Sequence, residues 1–68
     1  MGGLSVETTL MYAASLSLGS KVSHYIKVSR VKQVLADLAL GQIANHSVET
    51  LTKAEYRRLM IGVQLVRY

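Results

Sequence analysis

The sequence contains no cysteine, no proline, no tryptophan and no phenylalanine. Without cysteine, neither a disulfide framework nor a thiolate zinc site can brace the fold. A chain of 68 residues is near the lower size limit at which one hydrophobic core suffices, so stability has to come from packing, oligomerisation or a partner. Tyrosine is the only aromatic, while 50% of the residues are hydrophobic. The core is therefore expected to be aliphatic and finely divided, as suits packed helices. That apolar content is high for so small a chain and points to a homodimer that hides an apolar face.

Negative charge is also scarce. The chain has four carboxylates, and none lies between Glu7 and Asp37. The same interval holds Lys21, Lys27, Arg30 and Lys32, half of the eight Lys and Arg residues, with His24 and Tyr25 among them. Uncompensated cations create a local positive potential that attracts phosphates, and the net charge of +4 has the same sign. A solvated helix face carries the same signature. The window is the strongest functional clue in the chain, and it selects nucleic acid, with DNA first, as the expected partner.

Targeting signals are absent or incomplete. The apolar run at residues 10–18 is interrupted by Ser15 and Ser17, has no basic stretch before it, and is too short to span a bilayer. The start, Met1-Gly2-Gly3-Leu4-Ser5-Val6, places valine where an N-myristoylation pattern wants Ser or Thr. These features predict a single cytoplasmic domain over residues 1–68, with no transmembrane segment and with residues 1–4 as a flexible end.

The inventory for catalysis is small. Glu7, Asp37, Glu49 and Glu55 belong to separate segments, and Glu55 has a helix-capping role. Two histidines, His24 and His46, without cysteine make a poor zinc site. The only adjacent glycines are Gly2-Gly3, so there is no glycine-rich phosphate loop. The expectation is a non-enzyme without metal or cofactor.

Helix punctuation predicts an all-α domain of three helices, near residues 6–18, 29–40 and 53–66. Ser5 can cap the first, Glu7 favours its first turn, and Gly19 can stop it. Met11 and Leu16 lie off the Val6–Leu10–Leu18 stripe, so this helix should meet more than one neighbour. Thr52-Lys53-Ala54-Glu55 reads as a capping box. Gly62 inside the third helix costs about 1 kcal/mol relative to Ala, and is either tolerated or lets another helix approach. The tetrapeptide Ser-Val-Glu-Thr occurs at residues 5–8 and again at 47–50, which reads as repeated helix-start chemistry.

Residues 21–28 admit two readings. Alternation sets Val22, His24, Ile26 and Val28 against Ser23, Tyr25 and Lys27, the period of a strand, with Ser29 capping a helix after it. Helical spacing fits as well, and would run one helix from Ser20 to Leu40, stopped by Gly41. In the strand reading, the order of strand, Ser-capped helix, turn and helix over residues 21–68 resembles the ribbon-helix-helix repressors. That resemblance implies a dimer in which Ser23, Tyr25 and Lys27 face a major groove. A helix-turn-helix reading instead uses residues 35–39, a turn at Gly41, and a second helix from Ser47 carrying Arg57 and Arg58.

Together these observations predict a small basic DNA-binding regulator of transcription acting as a homodimer. Lys21, Lys27, Arg30 and Lys32 would contact phosphates, Ser23 and Tyr25 would reach bases, and Arg57 and Arg58 would assist. The alternative is a helical protein-interaction or assembly module that binds no nucleic acid, with Tyr56 and Tyr68 anchoring a partner. A basic amphipathic helix over residues 20–40 lying on a membrane surface ranks third.

Overall fold

The computed structural model describes residues 3–19 and 21–67, and these form an all-α domain without strands. Its elements are α1 (Val6–Leu18), α2 (His24–Asp37), two short 3₁₀ turns at Gly41–Ile43 and Val48–Thr50, and α3 (Lys53–Leu65). Helix α1 begins and ends where its capping chemistry dictates. Ser5 Oγ accepts a hydrogen bond from the Thr8 amide at 3.1 Å, and Gly19, at φ 77°, donates its amide to the Ser15 carbonyl. That backbone conformation favours glycine. At α3 both halves of the capping box are made. The Glu55 amide donates to Thr52 Oγ1 at 3.2 Å, and the Thr52 amide donates to Glu55 Oε1 at 2.9 Å.

At residues 21–28 the helical reading prevails. Lys21 and Val22 form a turn, Ser23 caps α2 by accepting from the Ile26 amide at 3.3 Å, and the helix is continuous from His24. There is no ribbon, so the dimer of the ribbon-helix-helix type has no strand to build on. Ser29, expected as the cap, lies inside α2 and is exposed. The helix-turn-helix geometry is not formed either, since residues 38–52 separate α2 from α3 and residues 48–50 make only a 3₁₀ turn.

The C-terminus of α2 stops earlier than the glycine suggests. Ala39 takes the left-handed conformation, φ 56°. Its amide donates to the Ala36 carbonyl, while the Leu40 amide donates to the Leu35 carbonyl at 2.8 Å. These are the two bonds of a Schellman closure, completed by the buried pair Leu35 and Leu40. Gly41 follows the closure and is not what makes it.

The repeated tetrapeptides meet in space. Ser5 and Ser47 form an isolated antiparallel bridge, in which the Val6 amide donates to the His46 carbonyl at 3.1 Å and the Val48 amide to the Leu4 carbonyl at 2.8 Å. The Glu7 amide adds a bond to the Ala44 carbonyl at 3.0 Å. First-turn amides of α1, which have no partner within their own helix, are thus satisfied by the α2–α3 connection. Leu4, placed by sequence in a flexible end, is tied down by its carbonyl, whereas Met1, Gly2 and Tyr68 lie outside the described residues.

The core is aliphatic throughout. It gathers Val6, Leu10 and Ala14 from α1, Val31, Val34 and Leu35 from α2, Leu40 and Ala44 from the connection, and Leu59 and Val66 from the α3 segment. Helix α1 packs against both other helices, as its broadly apolar surface requires. The α3 helix approaches closely at Gly62: a Cβ built there would lie 3.1 Å from Val34 Cγ1, 3.2 Å from Leu38 Cδ1 and 3.3 Å from Leu10 Cδ2. The glycine therefore serves packing within the chain.

Candidate interaction surfaces

The domain measures 34 × 28 × 16 Å. Since a helix with its side chains is about 10–12 Å across, the short dimension leaves broad faces uncovered. Its accessible surface of 4762 Å² exceeds the roughly 4,200 Å² expected of a compact monomer of this mass. Tyr12, Leu16, Tyr25, Ile26, Tyr56, Met60, Ile61 and Leu65 are among the large apolar side chains that lie exposed on it.

The basic window does not fold into one surface. At 100° per residue, Lys27 and Arg30 lie about 60° apart on one flank of α2, and Lys32 projects about 140° away from Lys27 on the other. Lys27 and Arg30 are half-buried against the core edge, Lys32 is exposed, and Lys21 is exposed in the turn that precedes α2. Ser23 spends its hydroxyl on the cap. Tyr25, 82% exposed, shares a shallow groove with Val28, Ser29 and Lys32. Arg57 is exposed and Arg58 half-buried on α3. Of the predicted nucleic-acid residues, this groove brings together only Tyr25 and Lys32, with Ser29 between them.

Helix α3 has two contrasting edges. On one, Ala54, Ile61 and Leu65 recur at intervals of seven and four, all exposed, with the exposed Arg57 and the half-buried Arg58 at its borders. On the other, Tyr56, Met60, Val63 and Arg67 recur at intervals of four, three and four and so share a stripe. This second edge opens into two grooves. Near the helix start, Leu51, Tyr56 and Met60 lie beside Lys53 and Arg57. Near its end, Val63 and Arg67 face Ala13 and Leu16 of α1, the leucine being 86% exposed. Lys53 and Arg67 escaped the sequence reading because they are not clustered along the chain; the four-residue spacing of Lys53 and Arg57 was the available signal.

Acid–base and metal chemistry find little to work with. Glu7, Asp37 and Glu49 are exposed and Glu55 is committed to its cap. The side chains of His24 and His46 are exposed as well. Among the described residues there is no group of three His, Cys, Asp or Glu side chains able to hold a metal ion, and no helix is long and apolar enough to cross a membrane.

No family model and no solved structure matches the chain. Over 71 aligned residues, covering 97% of this chain, it is 37% identical to the ABC transporter G family member 24 of Dictyostelium discoideum. It is 30% identical, over the same share of its length, to the broad substrate specificity ATP-binding cassette transporter ABCG2 of Bos taurus. The chain spans about 6% of the first protein and 11% of the second.

Proposed function

We propose that this chain is a non-catalytic helical assembly module that associates with a second copy of itself through the Ala54–Ile61–Leu65 edge of α3. The observation that carries this reading is the exposure of Ile61 and Leu65, 47% and 41%, on an edge of α3 flanked by Arg57 and Arg58. In a two-fold contact centred on Ile61 and Leu65 the two arginines of each copy stand at the rim, where water and salt screen them. A two-fold contact uses one self-complementary patch twice, the commonest route to a dimer.

The test is a pair of substitutions at exposed positions, where the fold is little affected. Ile61→Glu with Leu65→Glu should retain the helical circular dichroism of the parent and weaken self-association at least tenfold, about 1.4 kcal/mol, in sedimentation velocity. Unchanged association in the double variant would place the contact elsewhere.

A nucleic-acid role, with DNA the first choice, is favoured by one observation: the exposed aromatic, hydroxyl and cation of the Tyr25–Ser29–Lys32 edge, with Lys21 also exposed. Under that reading, binding to a mixed-sequence duplex weakens with salt. Lys21→Ala with Lys32→Ala should then lower the slope of log K against log salt by about 2, one unit per phosphate contact. Absence of binding at low salt, followed by fluorescence anisotropy, would dismiss it.

A further inference from the structure

The opposite edge of α3 has a different character. Its two grooves share the stripe Tyr56–Met60–Val63–Arg67, and three cations stand along it: Lys53 and Arg57 at the helix start and Arg67 at its end. From residue 53 to residue 67 the helical rise covers about 21 Å, the length of a helix of roughly 14 residues. No carboxylate lines either groove among the described residues. Glu55, the nearest in sequence, is half-buried and bound to the Thr52 amide. One groove is lined by Leu51, Tyr56 and Met60 and the other by Ala13, Leu16 and Val63. The two follow one another along a single helix edge, each rimmed by cations, an arrangement suited to helix-in-groove recognition.

We infer that these two grooves together dock one amphipathic helix from another protein, one that carries apolar anchors at helical spacing and acidic residues along its flanks. Charge complementarity selects this occupant over a second copy. This chain has only four carboxylates, each in a separate segment, so it has no acidic apolar helix of its own to offer. A copy turned onto the groove would bring cations against cations. The apolar linings also distinguish the site from a phosphate-binding surface, since Met60 in one groove and Val63 in the other offer nothing to a nucleic-acid backbone, whereas leucine anchors one or two helical turns apart could enter both.

The experiment uses the full chain and two synthetic peptides of about 15 residues, the length that matches the groove. Both carry leucines at the same helical positions; one is flanked by glutamates and its twin by lysines. Fluorescence anisotropy should show the glutamate peptide binding at least tenfold more tightly than its twin at low salt, with the advantage shrinking as salt rises. Lys53→Glu with Arg57→Glu, both at exposed positions, should reverse the preference. Met60→Asp should weaken the glutamate peptide at least tenfold while circular dichroism stays unchanged. Equal binding of the twins, no binding of either, or indifference to Met60→Asp overturns the inference. So does displacement of the peptide by a mixed DNA duplex whose affinity Met60→Asp leaves intact, because the cations would then serve phosphates. Since Ile61 and Leu65 take no part, failure here leaves the dimer reading standing, and failure of the dimer leaves this one.

Discussion

Gly62→Leu is expected to lower the stability of this domain by about 3 kcal/mol and its melting temperature by roughly 10–20 °C, given the steep dependence in domains of this size. At Gly62 α3 comes so close to the rest of the core that even a methyl group would sit 3.1 to 3.3 Å from side-chain carbons of Val34, Leu38 and Leu10. Two of the three neighbours belong to the α2 segment and one to α1, so no single rotamer change relieves them all. Gly62→Ala separates two opposing terms. It recovers the helix propensity lost to glycine, about 1 kcal/mol, while forcing its neighbours back by a few tenths of an ångström. The alanine variant should therefore melt within a few degrees of the parent. Urea unfolding followed at 222 nm measures both, and a leucine variant as stable as the parent would mean that α3 does not pack where it is placed here.

Leu10→Ala is expected to cost about 3 kcal/mol, within the range for emptying a fully buried leucine site. Leu10 has no exposed surface and lies on α1, the helix that packs against both others. A domain of this size has a total stability of only some 3–10 kcal/mol, so the variant should be largely unfolded at modest urea concentrations. The two sites touch, hence their effects should not add. Combining Leu10→Ala with Gly62→Ala should cost less than the sum of the single changes, because the shortened side chain frees space beside the new methyl group. Additive behaviour would show that the two positions are not in contact.

The two outer helices were largely legible from capping residues alone. Ser5 and Gly19 bound α1, and the Thr52–Glu55 box starts α3. Residues 21–28 were not, because Val22, His24, Ile26 and Val28 satisfy the alternation of a strand. What decides for helix is Ser23, whose hydroxyl caps α2 six residues earlier than the more obvious Ser29. The stop of α2 was misplaced for a similar reason. Gly41 is the residue that a left-handed position favours, yet the turn is made by Ala39, with the burial of Leu40 against the core holding it there.

The candidate sites were harder to read, since adjacency along the chain is not adjacency on a helix. Lys27, Arg30 and Lys32 fall within six residues but project to opposite flanks of α2. Conversely, Lys53, Arg57 and Arg67 are spread over α3 and its C-terminal turn and line one pair of grooves. Gly62 shows the same division. Its potential for a close approach was visible in the sequence, whereas the partner, the chain's own α1 and α2, required the fold.

The most direct test of the assembly reading is sedimentation equilibrium of the full 68-residue chain over a wide range of concentrations, at low and high salt. An apolar contact between copies predicts a mass that rises from 7.5 kDa toward twice that value, with association maintained or strengthened by salt as repulsion between the basic protomers is screened. A mass that stays at the monomer value at every concentration and both salts would contradict the account.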